Sequence, residues 1–151
     1  MIVNTGCGKS DLSKLHDGLS KTAKALNAAV KTNGTLYDGA VYGPVGSPQA
    51  IAMRQKVARV IHDSNEHLIR ALNLAQNLTA ETFEQGKLAV LQALSQAGAN
   101  LTVGNQTIDL VLQGVATLIN QAVVLIQAFQ SKHLKYVLPE IKTWRLPEVA
   151  V

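Results

Sequence analysis

The chain has 151 residues, of which 47% are hydrophobic and 4% aromatic, and its formal net charge is +4. Such hydrophobic content excludes a disordered polymer, and the length suits one domain with a proper core of Leu, Val, Ile and Ala. The charge is mild, so it permits phosphate contact without demanding it, and a single cysteine, Cys7, excludes the internal disulfides on which small secreted domains rely.

In chain order, residues 1–6 have neither a basic start nor a long apolar run, so no secretory leader is expected. Thr5-Gly6-Cys7-Gly8-Lys9-Ser10 looks like the end of a phosphate-binding loop. Val3 stands where the first glycine of that pattern belongs, and three residues cannot supply the leading strand. A plain lead into a helix is expected instead. The first helix is predicted over 10–31, capped by Ser10 with Asp11 in its first turn. Leu12, Leu15, Leu19, Ala23, Leu26 and Val30 recur at spacings of three and four and mark its buried face. Lys14, Asp17, Lys21 and Lys24 line the other side, which reads either as a solvated face or as a lysine stripe that follows phosphates. Four glycines and Pro44 predict a long loop over 32–47.

Ser47-Pro48 is a strong helix start. The second helix is expected to run to about Asn77, burying Met53, Val57, Val60, Ile61, Leu68, Leu72 and Ala75. On its outer side Arg59 with Asp63, and Glu66 with Arg70, are four apart and set to pair. Thr79, Glu81 and Glu84 suggest a further start that continues to Gly98. A turn follows over 99–106, then a last long helix over 107–132. Its polar positions Asp109, Gln113, Thr117, Gln121, Gln127 and Ser131 form a narrow strip, which predicts burial on most sides. From Tyr136 onward, Pro139, Trp144 and Pro147 indicate an extended tail packed across the rest.

Residues 88–131 carry one charge among 44 positions, Asp109, whereas the flanking segments hold the other 23. The expected architecture is therefore all-α, a single helical domain of about four helices over 1–151. Its parts are a charged half (1–87), an uncharged helical hairpin (88–131) and a tail (132–151). A neutral, apolar hairpin suits repeated contact between identical chains. The candidate subunit contacts are Leu110, Val111, Val115, Leu118, Ile119, Val123, Ile126 and Phe129.

Catalytic signatures do not emerge. No serine lies in a Gly-x-Ser-x-Gly elbow, and Cys7 has no evident histidine partner. His62, Asp63, Glu66 and His67 share one turn, but His16 and His133 are isolated and no second cluster converges on them. The expectation is a protein that is not an enzyme, with no cofactor, metal or small-molecule substrate. Residues 110–130 have the length of a membrane span, yet Gln113, Asn120, Gln121, Gln127 and Gln130 disfavour insertion into lipid. Four Asn-x-Thr acceptors, at Asn33, Asn77, Asn100 and Asn105, exceed chance and are candidate glycosylation sites on an outer surface.

Tyr42-Gly43, Gly46, Ala50-Ile51 and Lys56-Val57-Ala58-Arg59 resemble the middle of the major coat proteins of archaeal rod-shaped and filamentous viruses. The resemblance covers under 20 residues. It implies an all-helical coat subunit that dimerises, wraps double-stranded DNA in A form and stacks into a helical tube. Lys56 and Arg59 are the phosphate contacts it carries over, and periodicity adds Lys14, Lys21 and Lys24, with Arg54 beside them on the second helix. The expected partners are thus further copies of the chain and double-stranded DNA, located in a virion. The alternative expectation is a secreted helical glycoprotein that binds lipid or another apolar ligand.

Overall fold

A computed structural model describes residues 11–131 and 143–150. Four helices fill most of this length: α1 (Asp11–Asp38), α2 (Pro48–Gln76), α3 (Phe83–Gly98) and α4 (Gln106–Gln127). Among the described residues there is no strand. The proposed Ser10 cap, the glycine-rich 5–10 segment, His133 and residues 136–142 of the tail lie outside the described residues.

Each helix packs chiefly on its two neighbours in the cyclic order α1, α2, α3, α4. Three contacts fix the directions. Asn33 near the end of α1 meets Arg54 near the start of α2. Ser64 in α2 donates to the carbonyl of Ala97 at the end of α3, 2.8 Å away. Lys87 at the start of α3 meets the carbonyls of Gln127 and Phe129 at the end of α4. Successive helices therefore run antiparallel, as short connections favour. The core lies on the bundle axis. Leu15, Leu19 and Leu26 meet Ile61, Leu68, Leu94, Ile108, Leu112, Ile119 and Ile126, all fully buried. Burial of each such side chain stabilises the fold by about 1.5–3 kcal/mol.

Where the pattern was strong, expectation and structure agree. The α1 positions Leu12, Leu15, Leu19, Ala23 and Leu26 are buried. Ser47 caps α2, its hydroxyl accepting from the Ala50 amide at 3.2 Å. Elsewhere the structure corrects the reading. α1 continues to Asp38, through half of the expected 32–47 loop. Gly34 inside a helix costs about 1 kcal/mol against alanine, but tertiary contacts outweigh it. Asn33 is buried and satisfied at both ends of its amide, donating to the Arg54 carbonyl and accepting from the Tyr42 hydroxyl. Tyr37 accepts from the Gly46 amide and lies under the Arg54 guanidinium. The real connection is 39–47, with Gly43 and Gly46 at positive φ.

α3 starts at Phe83, not Thr79; Thr79 and Thr82 instead share a hydroxyl contact in the turn before it. α4 stops at Gln127, short of the expected 132, and the Lys87 ammonium donates to the Gln127 and Phe129 carbonyls at its end. The pairs Arg59–Asp63 and Glu66–Arg70 do not form; among the described residues Glu66 lies beside His62, at 3.8 Å.

Candidate nucleic-acid and subunit interfaces

Two surfaces follow from the helix periods. On α1 the buried residues occupy one face, and Lys14, Lys21 and Lys24 are exposed on the other. Lys31, also exposed, extends the same stripe by two turns. Its signal was legible, since it stands seven residues after Lys24 and is the last residue of the helix expected over 10–31. From Lys14 to Lys31 the stripe is about 25 Å long at helical rise.

The remaining candidates do not join it as one patch. Arg54 leans toward α1, its guanidinium 4.6 Å from the centre of the Tyr37 ring. Lys56 leaves the opposite flank of α2 and donates to the Val103 carbonyl at 3.2 Å, in the turn between α3 and α4. Arg59 is exposed. Of the exposed candidate cations, Lys14, Lys21 and Lys24 thus gather on α1, while Arg54 lies apart over Tyr37 and Lys56 holds a turn in place.

The uncharged half is more sharply divided than its composition suggested. Val115, Ile119, Ile126 and Phe129, offered above as subunit contacts, are buried in the chain's own core and cannot reach another copy. α4 is not enclosed on most sides: 28% of its most apolar window is buried. Leu110 is 61% exposed and Val124 65% exposed. Leu110, Gly114, Thr117, Gln121, Val124 and Ala128 recur at alternating steps of four and three, which is the seam spacing of a coiled coil. This seam points directly away from the core face of Ile108, Leu112, Val115, Ile119 and Ile126. Val111, Leu118 and Val123 flank it, partly exposed. A Cβ added at Gly114 meets nothing within 4 Å, so a second helix could approach closely there. On α3, Leu88 is 65% exposed among Gln85, Gln92 and Ser95, with the exposed Glu84 one turn before it.

The seam escaped sequence reasoning because α4 is apolar nearly all round, so period alone did not tell its inner from its outer face. Asp109 is not part of an outward polar strip either. Its carboxylate accepts from the amides of Val103 and Gly104, at 2.7 and 3.1 Å. The one charge of residues 88–131 is therefore bound into the turn that begins α4, beside Asn105, whose Oδ1 caps the helix at Thr107 and Ile108.

The glycosylation candidates separate as well. Asn33 is 6% exposed with both ends of its amide engaged, so it is not an acceptor in the folded chain. Asn77 and Asn100 are exposed, the latter at φ +60° just after α3, and Asn105 is half-buried. Tyr42, which bonds Asn33, has its phenol pushed above the ordinary value of 10.0 by burial. Among the described residues no three His, Cys, Asp or Glu side chains converge on one point.

Taken together, the described residues define an all-α protein, an antiparallel four-helix bundle with two chemically unlike outer faces. Comparison with known protein families, characterised proteins and solved structures finds no match to this chain.

Proposed function

We propose that this chain is a self-assembling structural protein, the coat subunit of a helical virion, and not an enzyme. It packs double-stranded DNA through phosphates without reading sequence. One observation carries the reading: α4 turns a charge-free seam with coiled-coil spacing to solvent, on the side of the bundle away from α2 and its charges. Identical neutral faces can meet many times along a filament without repulsion. α1, packed beside α4, supplies Lys14, Lys21, Lys24 and Lys31 in one outward stripe, with Asp17 among them. A few cations per subunit suffice there, because phosphate neutralisation is repeated along the filament. Contacts of this kind position the chain on a backbone and carry no base readout. The Tyr42-Gly43 to Arg59 resemblance to archaeal rod-shaped and filamentous virus coats points the same way.

A second reading rests on the same face. By length and composition Gln106–Gln127, whose most apolar 18-residue window has mean hydropathy 1.6, is apolar enough to cross a membrane, so its outer side would also suit an apolar ligand or lipid. Electron microscopy of the purified chain mixed with double-stranded DNA separates the two. Long filaments of uniform diameter are expected. Discrete small particles that float with liposomes would replace the coat reading with the lipid one.

A further inference from the structure

Residues 144–150, outside any helix or strand, lie along α1 and α2. Helix side chains hold their main chain at four points. Gln76 of α2 donates to the Trp144 carbonyl at 2.9 Å. The His16 Nε2–H of α1 donates to the Arg145 carbonyl at 2.9 Å, and its ring stands 4.9 Å from that of Trp144. Asn27 clamps the strap from both ends of its amide: Nδ2 donates to the Glu148 carbonyl at 2.7 Å, and Oδ1 accepts from the Ala150 amide at 3.3 Å. Trp144, Leu146 and Val149 pack against the core. Three turns from Gln76 on the same stripe of α2, the buried Oδ1 of Asn65 has no hydrogen-bond partner, an acceptor still open in this part of the bundle.

This is how a protein recognises an extended peptide: polar side chains read main-chain groups while apolar residues fill the groove. None of these contacts requires that strap and groove belong to one copy. Chain length allows exchange too. The end of α4, the start of α3, the end of α2 and the start of α1 share one end of the bundle, where Trp144 docks. Neighbouring helices stand about 8–10 Å apart. A stretch of eleven residues, the length of 132–142, can span at most roughly 36 Å, more than the spacing of neighbouring helices.

We propose that the α1–α2 groove is a peptide-docking site whose occupant, in the assembled form, is residues 143–150 of a second copy, so that exchanged straps link neighbouring subunits. The proposal rests on the self-assembly reading and names the element that joins the copies.

A full-length Cys7→Ser chain carrying Asn27→Cys and Ala150→Cys reports it. Equal amounts of ¹⁴N and ¹⁵N protein are mixed, assembled and oxidised, and the disulfide-linked peptides are weighed by mass spectrometry. Straps exchanged at random give mixed-isotope pairs in about half of the linked peptides, whereas dilute unassembled protein gives same-isotope pairs. A benzophenone side chain placed at Trp144, followed by photolysis, supplies the same readout with Asn27 intact. Assembled material with same-isotope links alone overturns the exchange and leaves self-assembly standing. Protein that stays monomeric by light scattering at every concentration overturns both.

Discussion

α1 and α4 each carry a stripe of residues that points straight out from the core. The α1 stripe is Lys14, Lys21, Lys24 and Lys31; the α4 stripe is Leu110, Gly114, Thr117, Gln121, Val124 and Ala128. Their inner faces use the same chemistry, Leu and Ala on α1, Ile, Leu and Val on α4. Folding requires only that one face of each helix be apolar, so the inner faces say little about function. The outer faces are not set by the bundle. A charged stripe is at home in water, but exposed Leu110 and Val124 cost free energy there until something covers them. On this contrast rests the proposal that α1 meets an ionic partner and α4 a second copy of the chain.

The largest expected effect tests α4 from both sides. Leu110→Glu with Val124→Glu should abolish assembly, leaving no material that sediments faster than the monomer, while urea unfolding shifts by less than about 1 kcal/mol. Ile119→Ala, on the inner face of the same helix, should lower unfolding free energy by about 2–5 kcal/mol. If the outer pair destabilised the fold as much as the inner residue, the two-faced description of α4 would be wrong. Next in size is the charge stripe. Lys14→Gln, Lys21→Gln and Lys24→Gln together should reduce the steepness of log Kobs against log salt for double-stranded DNA by about 2.7, and Lys31→Gln by about 0.9 more. An unchanged slope would remove α1 from DNA binding.

The smallest effect concerns Tyr42, which joins the end of α1 to the loop after it. Its phenol titrates at higher pH in the folded chain than its ordinary value of 10.0. A group raised in this way stabilises the fold fully below that value, and the contribution is lost as pH rises through the folded value. Tyr42→Phe should therefore cost about 1 kcal/mol at pH 8 by urea unfolding. The difference between wild type and variant should shrink above pH 10. A difference that grew with pH would mean that the phenolate, not the phenol, fits this site.

Much of the bundle was legible because short-range physics wrote it. Ser47-Pro48 announces α2 by capping and ring geometry alone, and the leucine period of α1 names its buried side. The extension of α1 past Gly34 was not legible, because it depends on Asn33 meeting Tyr42 and Arg54, and no local rule anticipates that pair. The same holds for half of the proposed subunit contacts. Val115 and Leu110 look alike in a helix that is apolar on almost every side, and only the positions of α1 and α3 decide which of them is covered. Sequence also placed an aromatic tail against the body of the protein, but not the groove that receives it. Gln76, His16 and Asn27 are unremarkable polar residues until two helices set them along one line.

By itself the sequence determined that the chain is helical, where two of its helices begin or turn inward, and that all of its charge but Asp109 lies outside 88–131. These follow from period, capping and composition, which act over a few residues. Tertiary structure alone decided which side of α4 faces water, that Asp109 is tied into a turn, and that Asn33 is sealed from modification. Each of these depends on which helix stands beside which, and that is settled by burying apolar surface across the whole bundle at once.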